Sequence, residues 1–295
     1  MQHTVQNWRM SEQHVTPDLR RWIQAQVGQG HSADVILQAM QASGWDKEVA
    51  LASYKLTLNN ASQQQAISVA SMTAAERNKV PEPPVADGAH EVLAEGQAVR
   101  IVASLREPRV IVFGGLLSHG ECDELVALAQ ARLARSETVQ VGTGGSEVNS
   151  SRTSEGMFFG RGENPLCARI EARIASLLNW PLENGEGLQI LRYQPGAEYK
   201  PHYDYFDPAQ PGTPAILARG GQRVASVVMY LSAPARGGAT VFPDADLQVS
   251  PIKGNAVFFS YDRAHPSTRT LHGGAPVLEG EKWVATKWLR QGRFE

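Results

Sequence analysis

His202 and Asp204 stand two residues apart in the stretch RYQPGAEYKPHYDYFD, which spans 192–207. In an extended strand, residues i and i+2 point to the same face, so the imidazole and the carboxylate would project together while Tyr203 and Tyr205 face the other way. Two such ligands can share one metal ion, and the chemistry then turns on a third. Five histidines, at positions 3, 14, 31, 90 and 119, precede the β-rich part of the chain. That leaves His265, in the polar run DRAHPSTR, and His272, at the end of a short apolar strand in RTLHGGAPV where Gly273 and Gly274 permit close backbone approach. The first context reads as a loop, the second as a ligand position. Two histidines and one carboxylate, with open positions left over, form the facial triad of non-haem Fe(II) oxygenases. The same three residues also suit zinc, as in a hydrolase or isomerase on a cupin-like barrel.

Lys282 lies ten residues beyond His272, across the turn residues of GGAPVLEGE. In a strand KWVATKWLR, Lys282, Val284, Thr286 and Trp288 share one face, opposite Trp283, Ala285, Lys287 and Leu289. A lysine on an otherwise inward face must meet an anion or lose its proton more readily than usual. Beside a metal triad, a carboxylate-bearing cosubstrate is the fitting partner. A zinc hydrolase gives that lysine no evident role.

The elements that hold these residues are short and β-rich. From LQILRY onward, runs such as YKPHYDYF, RVASVVMYL, ATVF, LQVSPI, NAVFFSY and WVATKWL alternate with glycine and proline, the pattern of a β-sandwich or jelly roll. Helices flank them. SHGECDELVALAQARL opens with Ser118 and carries Glu121 three residues later, a capping box, and PLCARIEARIASLL at 165–178 has a second apolar helical face. Three further helical patterns open the chain: TPDLRRWIQAQV with Thr16 as cap, SADVILQAMQASG with Ser32 as cap and Gly44 as stop, and DKEVALASYKL. In the first, Leu19, Trp22, Ile23 and Val27 form the apolar face; in the second, Val35, Ile36, Ala39 and Met40 do. The organisation expected is a small helical unit over 1–58, a Gln-, Ala-, Ser- and Pro-rich linker over 59–96, and a catalytic domain over 97–295.

Bulk composition bounds the partners. The 28 basic and 30 acidic residues nearly cancel, to a formal charge of -2, so no overall field attracts nucleic acid or an anionic membrane. No run approaches the ~20 apolar residues of a membrane span, and MQHTVQNWRMSEQ lacks the apolar core of a signal peptide. The expectation is a soluble, cytoplasmic protein. Two cysteines, Cys122 and Cys167, both in apolar helical settings, read as buried thiols rather than as a disulfide framework.

The order of HxD, a distant histidine and a lysine ten residues later, set within YKPHYDYF, GGQRVASVVMYLS, GGATVFP and LHGGAPVLEGEKWVATKWLR, resembles the catalytic domain of the prolyl 4-hydroxylases, which are Fe(II)- and 2-oxoglutarate-dependent dioxygenases. The resemblance covers about residues 108–291. It implies a double-stranded β-helix, a jelly roll with flanking helices, in which His202, Asp204 and His272 hold iron. It implies that Lys282 grips the distal carboxylate of 2-oxoglutarate, with Tyr193 hydrogen-bonding to it and Thr240 and Trp288 lining the same pocket. Arg223 in GGQRV and Arg152 in SRTSEGMF match positions toward the substrate groove. Dioxygen and 2-oxoglutarate would be consumed, succinate and CO2 released, and ascorbate would serve as reductant. The substrate implied is a proline within a polypeptide, with a free amino acid or other small molecule as the alternative. Where family members often show HAGCPV this chain has HGGAPV, an exchange of small residues for small ones. The first 90 residues lie outside the resemblance; their helices could recruit a partner, mediate self-association or simply pack.

Overall fold

The computed structural model describes residues 17–28, 31–70, 77–86, 88–135, 138–139, 146–147 and 153–295. The chain divides into two compact units, Met1–Thr73 and Ala74–Glu295.

Among its described residues the first unit contains three helices, α1 (Pro17–Gly28), α2 (Ala33–Ala42) and α3 (Lys47–Ala70). Ser32 caps α2 by accepting from Val35 N, and Gly44 takes a left-handed turn at φ 91° just beyond its end. Ile23, Ile36, Met40 and Ala50 form the small core. Trp22, Val27 and Val35, expected on the inward faces, are exposed instead. A helix turns about 100° per residue, so Val35 beside Ile36 cannot share its full burial in so thin a bundle. Thr16, the expected cap of α1, lies outside the described residues.

Two boundaries differ from the expectation. α3 runs on through positions 59–70 rather than ending at 58, because NNASQQQAISVA contains neither proline nor glycine and its alanines and glutamines are good helix formers. Pairing begins at Glu91, inside the stretch read as linker. The tail of that stretch is also tied to the second unit: Asn78 N donates to Asp262 O, and Glu82 pairs with Arg109.

The second unit is a double-stranded β-helix with helices on one side. Its strands are β1 (Glu91–Ala94), β2 (Gln97–Leu105), β3 (Arg109–Gly114), β4 (Ala134–Arg135), β5 (Glu155–Phe159), β6 (Gly185–Tyr193), β7 (Tyr199–His202), β8 (Arg223–Tyr230), β9 (Thr240–Phe242), β10 (Leu247–Val249), β11 (Ala256–Ser260), β12 (His272–Gly274) and β13 (Lys282–Arg290). Two very short ribbons complete the set, Thr138–Val139 with Ser146–Glu147 and Arg236–Gly237 with Val277–Glu279. The major sheet runs β1-β2-β3-β11-β8-β13-β6-β5-β4 and the minor sheet β10-β9-β12-β7, every pairing antiparallel.

Alternation along the central strands assigns each residue a side. On β11, Ala256 and Phe258 join a core with α4 (His119–Gln130) and α5 (Pro165–Leu178), while Val257 and Phe259 turn to a second core that includes Phe242 and Val249 of the minor sheet. The helices therefore cover one face of the major sheet, and the other face meets the minor sheet. The capping box of Ser118 and Glu121 forms as expected, and α5 spans the expected residues. Cys122 and Cys167 are free and buried in the helix-side core. Burial pushes both thiols up to about 11, so neither is a ready thiolate near neutral pH.

Candidate active site

The site opens between the two sheets. β7 pairs with β12 in a register that sets His202 directly opposite His272. Close approach of these strands depends on Gly273, where a Cβ would come 2.8 Å from Tyr199 O. Asp204 does not share a strand with His202, as the HxD spacing suggests; β7 ends at His202 and Asp204 follows in a bend. The bend carries its carboxylate to the major sheet, where Ser226 Oγ on β8 donates to Oδ2 at 2.6 Å. Asp204 is nonetheless brought to both histidines. His202 Nε2 lies 3.5 Å from Oδ1, and His272 Nε2 lies 3.5 Å from Oδ2.

The donor set suits a metal ion. The three ligand atoms lie within 4.8 Å of one another. Cis ligands on one ion with bonds of about 2.1 Å stand ~3 Å apart, close to the separations found. The imidazoles are also presented in the correct tautomer. Nδ1 of His202 meets Lys200 O at 2.9 Å and Nδ1 of His272 meets Thr270 O at 3.0 Å. A carbonyl only accepts, so each Nδ1 carries the proton and each Nε2 offers a lone pair. Burial pulls the His272 pKa down to about 4, which keeps the ring neutral. For Asp204 in the metal-free chain, burial would raise the carboxyl, but its interactions with His272, His202 and Arg223 outweigh it and hold the group well below the usual carboxylate range.

A cleft open at its mouth leads from these ligands to Lys282. Lys282, Val284, Thr286 and Trp288 line it from β13 and Tyr193 from β6, while Thr240 on β9 closes the minor-sheet side. The opposite side chains Trp283, Ala285 and Leu289 join the helix-side core. Lys282 is 3% exposed, and burial pulls its ammonium down to about 8. It has no carboxylate partner among the described residues; the nearest aromatic faces are Tyr193 and Tyr230, with ring centroids 5.3 and 5.8 Å from Nζ. Tyr230 donates to Thr240 Oγ1 at 2.8 Å, which leaves the threonine's own proton for another acceptor. Trp288 Nε1 is buried and has no hydrogen-bond partner among the described residues.

Arg223 does not line this cleft. Its guanidinium is committed to Glu186, with Nε and Nη2 donating at 2.7 and 2.9 Å, and it lies 3.8 Å from the centroid of the Trp288 ring. Glu186 also accepts from Arg290 Nε at 2.6 Å, so one buried carboxylate serves the buried Arg290 and the partly buried Arg223. Arg152 lies outside the described residues. His265 caps a short turn by accepting from Ser267 N and stands apart from the His202, Asp204 and His272 group. Sequence reading missed Glu186, Ser226 and Tyr261. Ser226 is the lone serine in the largely apolar run RVASVVMY, the one signal that could have marked it.

Residues 188–290 match the 2OG-Fe(II) oxygenase superfamily. Among curated relatives, prolyl 4-hydroxylase 2 of Arabidopsis thaliana is 41% identical over 212 residues, covering 64% of this chain and 69% of the relative. Prolyl 4-hydroxylase 1 of the same plant is 45% identical over 202 residues, covering 62% and 69% respectively. Among solved structures, a viral collagen prolyl hydroxylase from Paramecium Bursaria Chlorella virus-1, in its 2OG complex, shares 32% identity over 61% of this chain and 95% of its own, with a TM-score of 0.47.

Proposed function

Because the chain belongs to the prolyl 4-hydroxylase family of 2-oxoglutarate- and Fe(II)-dependent oxygenases, we propose that it hydroxylates a proline residue within a polypeptide. The observation that carries the dioxygenase reading is the joint occurrence, in one cleft, of the His202, Asp204 and His272 donors and a buried ammonium without an anion, Lys282. A hydrolytic metal site has no use for that cation. The identity of the substrate rests on the relatives named above.

Fe(II) bound by His202 Nε2, His272 Nε2 and Asp204, together with 2-oxoglutarate and dioxygen, supplies oxidative decarboxylation to succinate and CO2 and one oxygen atom for the substrate. The chain's own groups prepare that reaction. Lys282 Nζ takes the distal carboxylate, regaining as an ion pair what burial costs it. Tyr193 lines the same end of the cleft, and Thr240 offers the proton that Tyr230 has left free. For a prolyl ring, apolar surface on the cleft wall comes from the Trp288 indole, whose N–H stays buried. Arg223, stacked on that indole and anchored by Glu186, fixes its orientation. The three-helix unit, which exposes Trp22, Val35, Leu51 and Leu56, carries no such chemistry; we assign it to recruitment or self-association. The test is succinate formation with Fe(II) and ascorbate, run in parallel on proline-containing peptides and on free amino acids. Mass spectrometry should find one added oxygen on a peptide proline. Turnover of free proline with inert peptides would overturn the substrate assignment.

A further inference from the structure

The buried polar groups on the major-sheet side of Asp204 form a chain that the catalytic reading leaves unused. Ser226 Oγ stands 2.6 Å from Asp204 Oδ2 and 3.0 Å from Tyr261 Oη. Ser226 is 0% exposed and Tyr261 2%, so no bulk water competes for these bonds. The direction of the chain follows from proton counting. An ionised carboxylate can only accept, so the single Ser226 proton points at Asp204. Ser226 Oγ then has only lone pairs for Tyr261, and the phenol must donate. Burial, first, and the Asp204 charge push the Tyr261 hydroxyl well above its ordinary value, so it keeps the proton that the arrangement requires.

We propose that Tyr261 and Ser226 are positioning residues for the metal: the two oxygens of Asp204 lie equally near a histidine, Oδ1 3.5 Å from His202 Nε2 and Oδ2 3.5 Å from His272 Nε2, and a two-hydroxyl strut commits Oδ2 and leaves Oδ1 as the carboxylate's ligand atom. Without the strut, Asp204 can rotate and offer both oxygens. A chelating carboxylate would take a coordination position that the facial triad must leave open for 2-oxoglutarate and dioxygen. Tyr261 is the further anchor because its ring is itself wedged, with the centroid of Tyr205 at 6.1 Å and that of Phe259 at 6.2 Å. The strut therefore transmits the packing of the aromatic core to one carboxylate oxygen. The inference rests on the metal-site part of the proposed function and is independent of the substrate.

The test is direct titration of the full-length, metal-free chain with Co(II), a probe that reports coordination number through its visible d–d absorption. Ser226→Ala should weaken Co(II) about 10- to 100-fold, the usual effect of removing an outer-sphere partner, and should shift the absorption toward a higher coordination number. Ser226→Thr, which keeps the hydroxyl, should restore both. Tyr261→Phe removes only the terminal donor and should weaken Co(II) by about threefold to tenfold, with the same direction of spectral change. Lys282 is untouched in all three, so the affinity for 2-oxoglutarate measured with metal at saturation should change less than that for metal. Wild-type Co(II) affinity and spectrum in either Ser226→Ala or Tyr261→Phe would overturn the strut. If Ser226→Ala does not fold, Tyr261→Phe alone decides. If the variants bind Co(II) as proposed yet the Fe(II)-loaded parent chain releases no succinate, the strut stands and the dioxygenase reading falls.

Discussion

Replacing Lys282 by methionine should make the ligand-free protein more stable and the 2-oxoglutarate complex much weaker, a pair of opposite signs that few buried lysines would show. The ammonium is 3% exposed, and burial alone accounts for its descent from 10.5 to about 8. At 1.36 kcal/mol per pH unit, holding it charged at neutral pH costs ~3 kcal/mol in the empty protein. Methionine keeps the stem's volume and removes that cost, so urea unfolding at pH 7 without cosubstrate should show a gain of up to ~3 kcal/mol. In the complex, the mutation strands the distal carboxylate of 2-oxoglutarate. Cutting one partner of a buried charge pair costs ~2 to 5 kcal/mol, so affinity should fall about a hundredfold. Calorimetric titration of 2-oxoglutarate into the metal-loaded protein reads this directly. A variant that is clearly less stable when empty, or that binds 2-oxoglutarate as the parent does, would show that Lys282 is satisfied within the protein and does not await an anion.

Other consequences follow from the same geometry. His202→Ala, Asp204→Ala or His272→Ala should each abolish succinate formation, while His265→Ala, which removes only a cap on a short turn, should leave it nearly unchanged. The pH dependence of Lys282 has a fixed sign: between pH 8 and 10.5 the unfolded chain holds a proton that the folded chain has released, so the empty protein gains stability as pH rises through that window, and Lys282→Met should abolish that gain. Over the same window 2-oxoglutarate should bind progressively more weakly, by up to tenfold per pH unit above about 8, as calorimetry at a series of pH values would show. Glu186→Gln leaves Arg223 and Arg290 without their shared carboxylate and should cost ~3 to 5 kcal/mol in urea unfolding. A chain beginning at Ala74 should fold and decarboxylate 2-oxoglutarate, whereas one beginning at Glu91 should be less stable because it lacks the Glu82–Arg109 pair and the Asn78–Asp262 bond; thermal melts of the two distinguish them.

What could be read in advance was whatever follows from periodicity. Along β13, alternation by itself separated Lys282, Val284, Thr286 and Trp288, which line the cleft, from Trp283, Ala285 and Leu289, which pack under the helices. The span of α5 and the cap of α4 were equally plain, because the apolar helical face that opens at Pro165 and the Ser118–Glu121 pair are local signals. What escaped depends on long-range contact. Asp204 leaves its strand because Ser226, 22 positions away, draws its carboxylate to the other sheet, and nothing in YKPHYDYF foretells that. Arg223 looked free to reach a substrate, since the carboxylate that claims it, Glu186, sits 37 positions earlier in an unremarkable NGEGLQ. The extension of α3 was hidden for a different reason: a glutamine- and alanine-rich stretch is compositionally like a linker yet has good helix propensity, and only the absence of proline and glycine tells the two apart.

The most direct test of the central claim is a single incubation of the purified chain with Fe(II), ascorbate, ¹⁸O₂, 2-oxoglutarate and a proline-containing peptide, analysed by mass spectrometry for both products. The account predicts one ¹⁸O atom on a proline of the peptide and the other in an equal quantity of succinate, with neither product formed by Asp204→Ala. Peptide returned unmodified with no succinate above that of the Asp204→Ala control, in a protein shown by titration to have bound its metal, would contradict it.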